Sequence, residues 1–180
     1  TMHTQFSEPY IQDIFKVDAG VVESSPYLHP SSKVLYFASN GRAGKGGFDI
    51  FTAALDTSPG GFGSALSITN VDSVNTTGSE LMPIISFDER ALYFAREEVT
   101  GHVIMVARRE GATGPFGAAM PIGELNGFDP MGASPPYPDQ WPSWLSDDEC
   151  RMYFISNRPH PIDPDASPPK FRLWMAEHPK

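Results

Sequence analysis

Cysteine, basic residues and long apolar runs are all scarce in this 180-residue chain, and each shortage narrows its possible functions. The single cysteine, Cys150, excludes an intrachain disulfide and a thiolate metal cluster, and we expect it to be a small buried apolar residue. Thirteen Lys and Arg against 22 Asp and Glu give a formal net charge of −9. Nucleic acid and anionic membranes are therefore not expected as partners, because phosphate contacts need clustered cations.

Signals for a membrane span, a leader and a catalytic centre are also missing from the sequence. No apolar run approaches the roughly 20 residues of a membrane span, and the opening residues TMHTQFSEPY contain no signal-peptide core. The five histidines show no zinc-site spacing, and no Gly-x-Ser-x-Gly element is present. The residues alone leave open whether the chain is cytoplasmic or has lost a leader.

Glycine and proline are abundant instead, and they lie between short apolar runs. The 16 glycines and 18 prolines punctuate the chain at intervals, and no stretch keeps a 3.6-residue apolar period. This pattern predicts a nearly all-β protein built from many short strands joined by turns.

One phrase occurs three times, as KVLYFASN (33–40), ALYFAREE (91–98) and RMYFISNR (151–158). Each copy follows an acidic residue placed three positions before a proline. These pairs are Glu23 and Pro26, Glu80 and Pro83, and Asp139 and Pro142. Repetition on this scale indicates a repeat architecture.

The whole repeat predicts three units, 6–56, 62–110 and 116–178, within a single domain that covers residues 1–180. Each unit opens on a segment that begins at Phe6, Phe62 or Phe116, and each is expected to hold four antiparallel strands. Adjacent residues of a strand point to opposite faces, so the Tyr and the Phe of each phrase are expected to pack against different neighbouring sheets. Four-stranded sheets that stack face to face are typical of β-propeller blades.

The unit Glu-x-x-Pro, polar turn, Leu/Met-Tyr-Phe, Gly-rich loop, Asp-Ile-Phe and Phe-Gly-x-Ala resembles the TolB-type, WD40-like β-propeller repeat of cell-envelope proteins. The resemblance implies a six-bladed ring, of which three units form half. The chain is then expected to be either a fragment of a longer polypeptide or a protomer that pairs with a second copy. It also implies a periplasmic or extracellular, non-catalytic scaffold that binds a protein partner.

The recurring acidic positions are the first candidate site. If the strand after each acidic residue is the innermost of its blade, then Glu23, Glu80 and Asp139 approach the mouth of a central channel, where carboxylates could bind Ca²⁺. In that case a glycan-binding or glycan-processing propeller is the alternative function. The competing interpretation is that each carboxylate accepts backbone N–H bonds at a blade junction.

The loops between the last two strands of the units are the second candidate site. Related positions there place six cationic or titratable residues on one rim, as a platform for a partner: Arg42, Lys45, Arg96, His102, Arg158 and His160. The glycine-rich loop 40–49 lacks the spacing of a phosphate-binding loop, and a turn in which Asp49 pairs with its own backbone or with Arg42 is the simpler interpretation. Trp141, Trp144 and Trp174 could stack on a sugar or a proline-rich peptide, although packing in the blade core is the simpler expectation.

Overall fold

The computed structural model describes Phe15, residues 18–56, Ser58, and residues 65–99, 101–126, 139–158 and 170–178. These residues form an all-β structure of three antiparallel sheets, as the turn-rich composition predicts. A single short helix, α1 (Gly123–Asn126), is present in them. No helix in these ranges has the length and apolar character needed to cross a bilayer.

Sheet 1 contains β1 (Glu23–Leu28), β2 (Val34–Ser39), β3 (Asp49–Leu55) and β4 (Ala65–Asn70) in that order. Sheet 2 contains β5 (Glu80–Ile85), β6 (Ala91–Glu98), β7 (Gly101–Arg108) and β8 (Met120–Pro121). Sheet 3 contains β9 (Gln140–Leu145), β10 (Arg151–Ser156) and β11 (Arg172–Glu177), with β10 in the middle. Within the described ranges, the third sheet therefore has three strands where the other two have four.

The sheets are offset from the units of the sequence. The segments that open the second and third units supply β4 and β8, and each pairs with the last strand of the sheet before it. The segment that opens the first unit, Phe6 to Ile11, lies outside the described residues. Each complete sheet therefore takes its outer strand from the start of the following unit.

A β-bulge interrupts the first strand of every sheet, and it explains the proline in the repeat. In sheets 1 and 2 the bulge lies beside Pro26 and Pro83, and the preceding residues Ser25 and Met82 have φ of 55° and 53°. Proline cannot donate a ladder hydrogen bond, and a bulge is one of the few places in a strand that tolerate it. In sheet 3 the proline, Pro142, lies one residue earlier relative to the bulge.

The Tyr and Phe of the first two phrases lie in different cores, as the predicted alternation requires, and in the third phrase Phe154 is in a core while Tyr153 is half-buried on the other face. Tyr36 and Phe94 belong to a first core between sheets 1 and 2. Tyr93 and Phe154 belong to a second core between sheets 2 and 3. Phe37 lies on the opposite face of sheet 1, in a third cluster that Phe15 helps to cover.

The sheets stack through their first strands. Strand β5 packs against β1 and β2, and β9 packs against β5 and β7. Each sheet thus presents its Tyr face to the Phe face of the next sheet along the chain. The acidic residue of each repeat lies at or beside the start of these stacked first strands.

Candidate functional site

The acidic residue of the second repeat, Glu80, is completely buried in a network of hydrogen bonds. Its Oε1 accepts from Arg96 Nε at 2.9 Å and from the Thr76 hydroxyl at 2.6 Å, and its Oε2 accepts from Thr76 N at 3.0 Å. Arg96 also donates to the carbonyl oxygen of Val74 at 2.7 Å, and its guanidinium lies 5.4 Å from the ring centroid of Phe94. Every part of this network is tied to the framework, and the carboxylate has no exposed surface.

The same arrangement of an acceptor, an arginine and the phrase phenylalanine recurs in the other two sheets, and we call it the arginine clasp. In sheet 1, Arg42 Nε donates to Glu23 Oε1 at 2.5 Å, and its guanidinium lies 5.8 Å from the centroid of Phe37. In sheet 3, Arg158 donates to Gln140 Oε1, and its guanidinium lies 4.8 Å from the centroid of Phe154.

The clasp identifies Gln140, rather than Asp139, as the third member of the acidic series. Glu23, Glu80 and Gln140 each open their strand and pair in register with Ser39, Arg96 and Ser156, respectively. The Glu-x-x-Pro spacing misassigns the third copy by one residue, because Pro142 is displaced relative to the bulge. A neutral amide therefore takes the place of a carboxylate in sheet 3.

Asp139 has a different environment from Glu23 and Glu80. Its Oδ1 accepts from the backbone N–H of His102 at 3.0 Å and lies 2.8 Å from His102 Nδ1. The ring of His102 also contacts Trp141 at a centroid distance of 5.5 Å, and Trp141 stacks on Phe171 at 4.9 Å. The indole nitrogen of Trp141 is buried and has no hydrogen-bond partner among the described residues.

The three predicted calcium ligands thus have three separate sets of partners. Glu23 and Glu80 are each paired with an arginine, and Asp139 bonds to His102. Across the ranges that the structure describes, no group of three or more His, Cys, Asp or Glu side chains is placed to hold a metal ion.

The predicted rim residues also lie in separate environments. Arg42, Arg96 and Arg158 turn into the clasps, and burial lowers the pKa of the Arg158 guanidinium below its usual value. Lys45 is more exposed, and its Nζ donates to the carbonyl oxygen of Asp72 at 2.7 Å and lies 3.1 Å from the Asp72 carboxylate. His160 lies outside the described residues. The platform formed by these six residues stays a prediction.

The glycine-rich loop closes on itself as the simpler interpretation predicts. Asp49 Oδ2 accepts from the backbone N–H groups of Lys45 at 3.0 Å and Gly46 at 3.2 Å. A Cβ at Gly46 would lie 2.2 Å from the carbonyl oxygen of Gly78, so this close approach between the loop and the following link requires glycine.

Two asparagines form a second repeated feature, the asparagine clasp, which the sequence analysis missed. Asn75 accepts from Ile50 N at 2.8 Å and donates to Ile50 O at 2.9 Å. Asn126 makes the same pair of bonds with Ile104, at 2.8 Å and 2.7 Å. Each asparagine bonds the third strand just beyond the end of the outer strand, whose next residue, Val71 or Ile122, donates to the same isoleucine carbonyl. Asn75 begins an Asn-Thr-Thr glycosylation sequon, but its side chain is buried and hydrogen-bonded through both its oxygen and its nitrogen, so this asparagine serves the fold.

The two kinds of clasp connect each sheet to the next. The carbonyl groups that accept from Arg96 and Arg158 belong to Val74 and Leu125, which immediately precede the two clasping asparagines. Each link segment is therefore held by the asparagine to the sheet before it and by the arginine to the sheet after it.

A cleft of about 620 Å³ opens between sheets 1 and 2, and none of the predicted site residues is among its lining residues. Its wall includes Tyr36, Glu89 and Arg109, with Thr52, Thr69 and Asp72 on the sheet 1 side. Arg109 donates to the carbonyl oxygens of Glu89 at 2.7 Å and Gly114 at 3.1 Å, and it lies 4.4 Å from the ring centroid of Phe116.

The charges of this cleft are balanced within the protein. Burial raises the pKa of the Tyr36 hydroxyl, and nearby Arg109 and Glu89 act on it in opposite directions. The volume is in the range of small-ligand pockets. The sequence repeat gave no signal for the cleft, because the positions that match Arg109 in the other two sheets are Leu55 and His178 and carry no arginine.

Comparison with known proteins adds no family assignment. No family model matches the chain, and no curated protein matches it either.

Proposed function

We propose that this protein is a non-catalytic, β-propeller-type scaffold that binds a protein partner in the cell envelope or outside the cell. The observation that carries the proposal is the arginine clasp. The ionisable residues that the repeat brings to the start of each first strand are bonded to their own framework, and Glu80 is wholly buried. Residues that recur in each sheet and bond to equivalent groups inside the protein stabilise the fold. The loops that differ between the units are then the better candidates for binding a partner.

The propeller part of the proposal is supported by the order in which the sheets stack. Successive sheets meet through β1, β5 and β9, the Tyr face of one contacts the Phe face of the next, and each complete sheet borrows its outer strand from the following unit. Blades of a propeller share these relations. The TolB-like resemblance of the repeat extends the arrangement to a ring of six blades, and it also supplies the envelope location.

The glycan-processing alternative requires two accessible carboxyl groups that face one substrate. Glu80 has no exposed side-chain surface, Glu23 is paired with Arg42, and the third position is the amide of Gln140. A carboxylate pair of this kind is therefore a poor basis for hydrolysis, and the scaffold is the better-supported function.

The two functions can be separated with the purified chain. We expect no retention on a panel of immobilised glycans, no release of reducing sugar from them, and the same melting temperature in millimolar Ca²⁺ and in chelator. Cross-linking in envelope or culture-fluid extracts should instead identify a protein whose binding is reproduced by calorimetry with the purified pair. Calcium-dependent glycan binding, or any glycan turnover, would overturn the scaffold proposal.

A further inference from the structure

The cleft between sheets 1 and 2 lies where sheet 1 departs from the repeat. In each sheet, the pairing of the strands aligns a row of side chains with the phrase tyrosine. In sheet 1 this row is Tyr36, Thr52 and Thr69, all of which line the cleft. In sheet 2 the row is Tyr93, Val106 and Met120. Two hydroxyl groups of sheet 1 therefore occupy positions that are apolar in sheet 2.

The glutamate that lines the cleft lacks the hydrogen bond that its counterpart makes. Glu89 and Glu149 occupy the same place in their turns, because each donates its backbone N–H to the carbonyl of a serine three residues earlier. Between sheets 2 and 3, Tyr93 donates to Glu149 at 2.8 Å. The Glu89 side chain is only 17% exposed, yet no described residue donates a hydrogen bond to its carboxylate. His29 Nδ1 and Arg109 Nη2 both lie 3.9 Å from it, which is too far for a hydrogen bond.

Arg109 supplies a donor next to this acceptor. Its Nε and Nη1 are bonded to the carbonyl oxygens of Glu89 and Gly114, and its guanidinium lies over Phe116, so the side chain is held in place. The side chain is 10% exposed, and Nη2 takes part in neither carbonyl bond. The cleft therefore contains a fixed donor and an open acceptor side by side, and their formal charges cancel.

A carboxamide complements this pair of groups. Its oxygen can accept from Arg109 while its NH₂ group donates to Glu89, and it adds no charge to a site whose charges are already balanced. The protein uses carboxamides in the same way, since Asn75 and Asn126 each accept from a backbone N–H and donate to a C=O. A carboxylate or an ammonium group would instead face one group of its own charge.

The rest of the cleft suits a peptide that carries such a side chain. The hydroxyl groups of Thr52 and Thr69 can donate to peptide carbonyls or accept from peptide N–H groups. Val71, Ala112 and Pro115 form apolar parts of the wall. The volume of about 620 Å³ is in the middle of the range of ligand pockets and leaves room for more than one side chain.

We propose that the cleft binds an extended, uncharged segment of the partner protein and holds an Asn or Gln carboxamide of that segment between Glu89 and Arg109. This inference rests on the proposed scaffold function and assigns a binding site to it. The segment would lie across the row of Thr52 and Thr69, with its apolar side chains against the opposite wall.

Synthetic hexapeptides test the proposal with the purified chain. The peptides are acetylated and amidated at their ends, and they carry Asn, Gln, Ala, Asp or Lys in otherwise identical sequences of Ser, Thr, Ala and Val. Fluorescence polarisation should show that peptides with Asn or Gln bind about tenfold more tightly than the matched Ala, Asp and Lys peptides, because hydrogen bonds to charged groups have effects of this size.

Variants of the cleft locate the bound peptide. Thr52→Val, which copies Val106 of sheet 2, should weaken binding of the tightest peptide severalfold. Thr77→Val is the matched control, because Thr77 is exposed and is not among the lining residues; its affinity should equal that of the wild type. Circular dichroism and urea midpoints establish that each variant is folded.

Glu89→Gln supplies a readout that a purely structural role would not change. The charge of Arg109 is then unbalanced, so the preference should move from peptides with Asn or Gln to peptides with Asp. An unchanged preference in this variant would overturn the placement of the carboxamide between Glu89 and Arg109.

Three other results would overturn the peptide site. They are a wild type that binds no peptide up to about 1 mM, equal effects of the Thr52 and Thr77 variants, and occupation of the cleft by a neutral oligosaccharide whose adjacent hydroxyl groups bridge the same donor and acceptor. A partner protein that is found by cross-linking but is not displaced by the tightest peptide would overturn the cleft as its binding site and leave the scaffold proposal intact.

Discussion

The arginine clasp of sheet 2 leads to a prediction about the free energy of unfolding, for which the Gln140–Arg158 clasp of sheet 3 is the internal reference. Arg96→Met removes the guanidinium but keeps most of the apolar side chain over Phe94. Glu80 then remains wholly buried as a carboxylate whose remaining hydrogen bonds, to Thr76, do not neutralise its charge. Breaking one side of a buried ion pair costs about 3 to 5 kcal/mol of unfolding free energy, chiefly because the other charge is left uncompensated.

Glu80→Gln removes the fully buried carboxylate and leaves the Arg96 guanidinium, whose side chain is 15% exposed, with a neutral acceptor. Sheet 3 already combines an amide, Gln140, with an arginine, Arg158, in this geometry, so the site can accommodate glutamine. The amide oxygen can still accept from Arg96, but its NH₂ group faces the backbone N–H of Thr76, which now donates at 3.0 Å. We expect a loss of about 1.5 to 3 kcal/mol, the usual value for a hydrogen bond to a charged group, and a smaller loss than for Arg96→Met.

Urea denaturation at neutral pH measures both losses through the midpoint, provided that the slope of the transition is unchanged. In a chain of this size each 1 kcal/mol also moves the melting temperature by about 2 to 4 °C. Arg90→Met is the control, because Arg90 directly precedes β6 of the same sheet and its side chain is 59% exposed and 3.9 Å from Asp88. An exposed pair of this kind contributes at most about 1 kcal/mol.

The double variant Glu80→Gln, Arg96→Met completes a thermodynamic cycle. Because it contains no buried charge, it should be more stable than Arg96→Met alone. The reasoning would be refuted if Arg96→Met were no more destabilising than Arg90→Met, or if the double variant lost the sum of the two single losses.

Two further predictions concern the asparagine clasp and a buried tyrosine. Asn126→Ala should lower the unfolding free energy by about 1 to 3 kcal/mol, because the buried N–H of Ile104 loses its partner while the Ile104 carbonyl keeps only the bond from Ile122 N. Asn40→Ala, which removes one exposed bond to Val22 N, should lower it by no more than about 1 kcal/mol; similar urea midpoints for the two variants would contradict this assignment. Burial and the hydrogen bond to Glu149 raise the pKa of Tyr93 from 10.0 to about 12, so the folded state holds this proton more tightly than the unfolded state. That contribution to stability is complete below pH 10 and is lost as the pH rises through 12. Urea midpoints between pH 9 and 12 should therefore fall less steeply for Tyr93→Phe than for the wild type. Identical pH dependence of the two midpoints would contradict the raised pKa of Tyr93.

The strands and the division of their faces could be predicted from the sequence because they depend on local rules. The phrase that contains Tyr93 and Phe94 repeats with fixed alternation, and a strand sends alternate side chains to opposite faces wherever it lies. The two aromatic rings therefore enter different cores, as predicted. The bulge residues Ser25 and Met82 could not be read in this way, because positive φ at these residue types is set by the pairing of the strand with its neighbour.

The clasps could not be predicted because their members do not keep a constant spacing. Arg96 lies directly opposite Glu80, but Arg42 lies three residues beyond Ser39, and Arg158 lies two residues beyond Ser156. The backbone path differs from sheet to sheet, but in each sheet it brings the arginine guanidinium to the same position, next to the phenylalanine of the phrase. An alignment by spacing therefore assigned the arginines to a rim and chose Asp139 where the structure has Gln140. Sequence comparison detects a repeated strand more readily than it detects a repeated contact.

Two link segments run between neighbouring sheets and affect how the molecule unfolds. Each link is bonded to the following sheet at Val74 or Leu125 and to the preceding sheet at the adjacent asparagine. Opening either neighbour releases one end of the link and exposes backbone groups of the other neighbour. Sheet 2 takes part in both links, whereas sheets 1 and 3 each take part in one. Opening of sheet 1 or sheet 3 is therefore transmitted to sheet 2. The amide protons of β7 should exchange faster with solvent when either neighbouring sheet opens. The two link segments contain no strand, yet they contribute to the cooperativity of unfolding together with the hydrophobic cores.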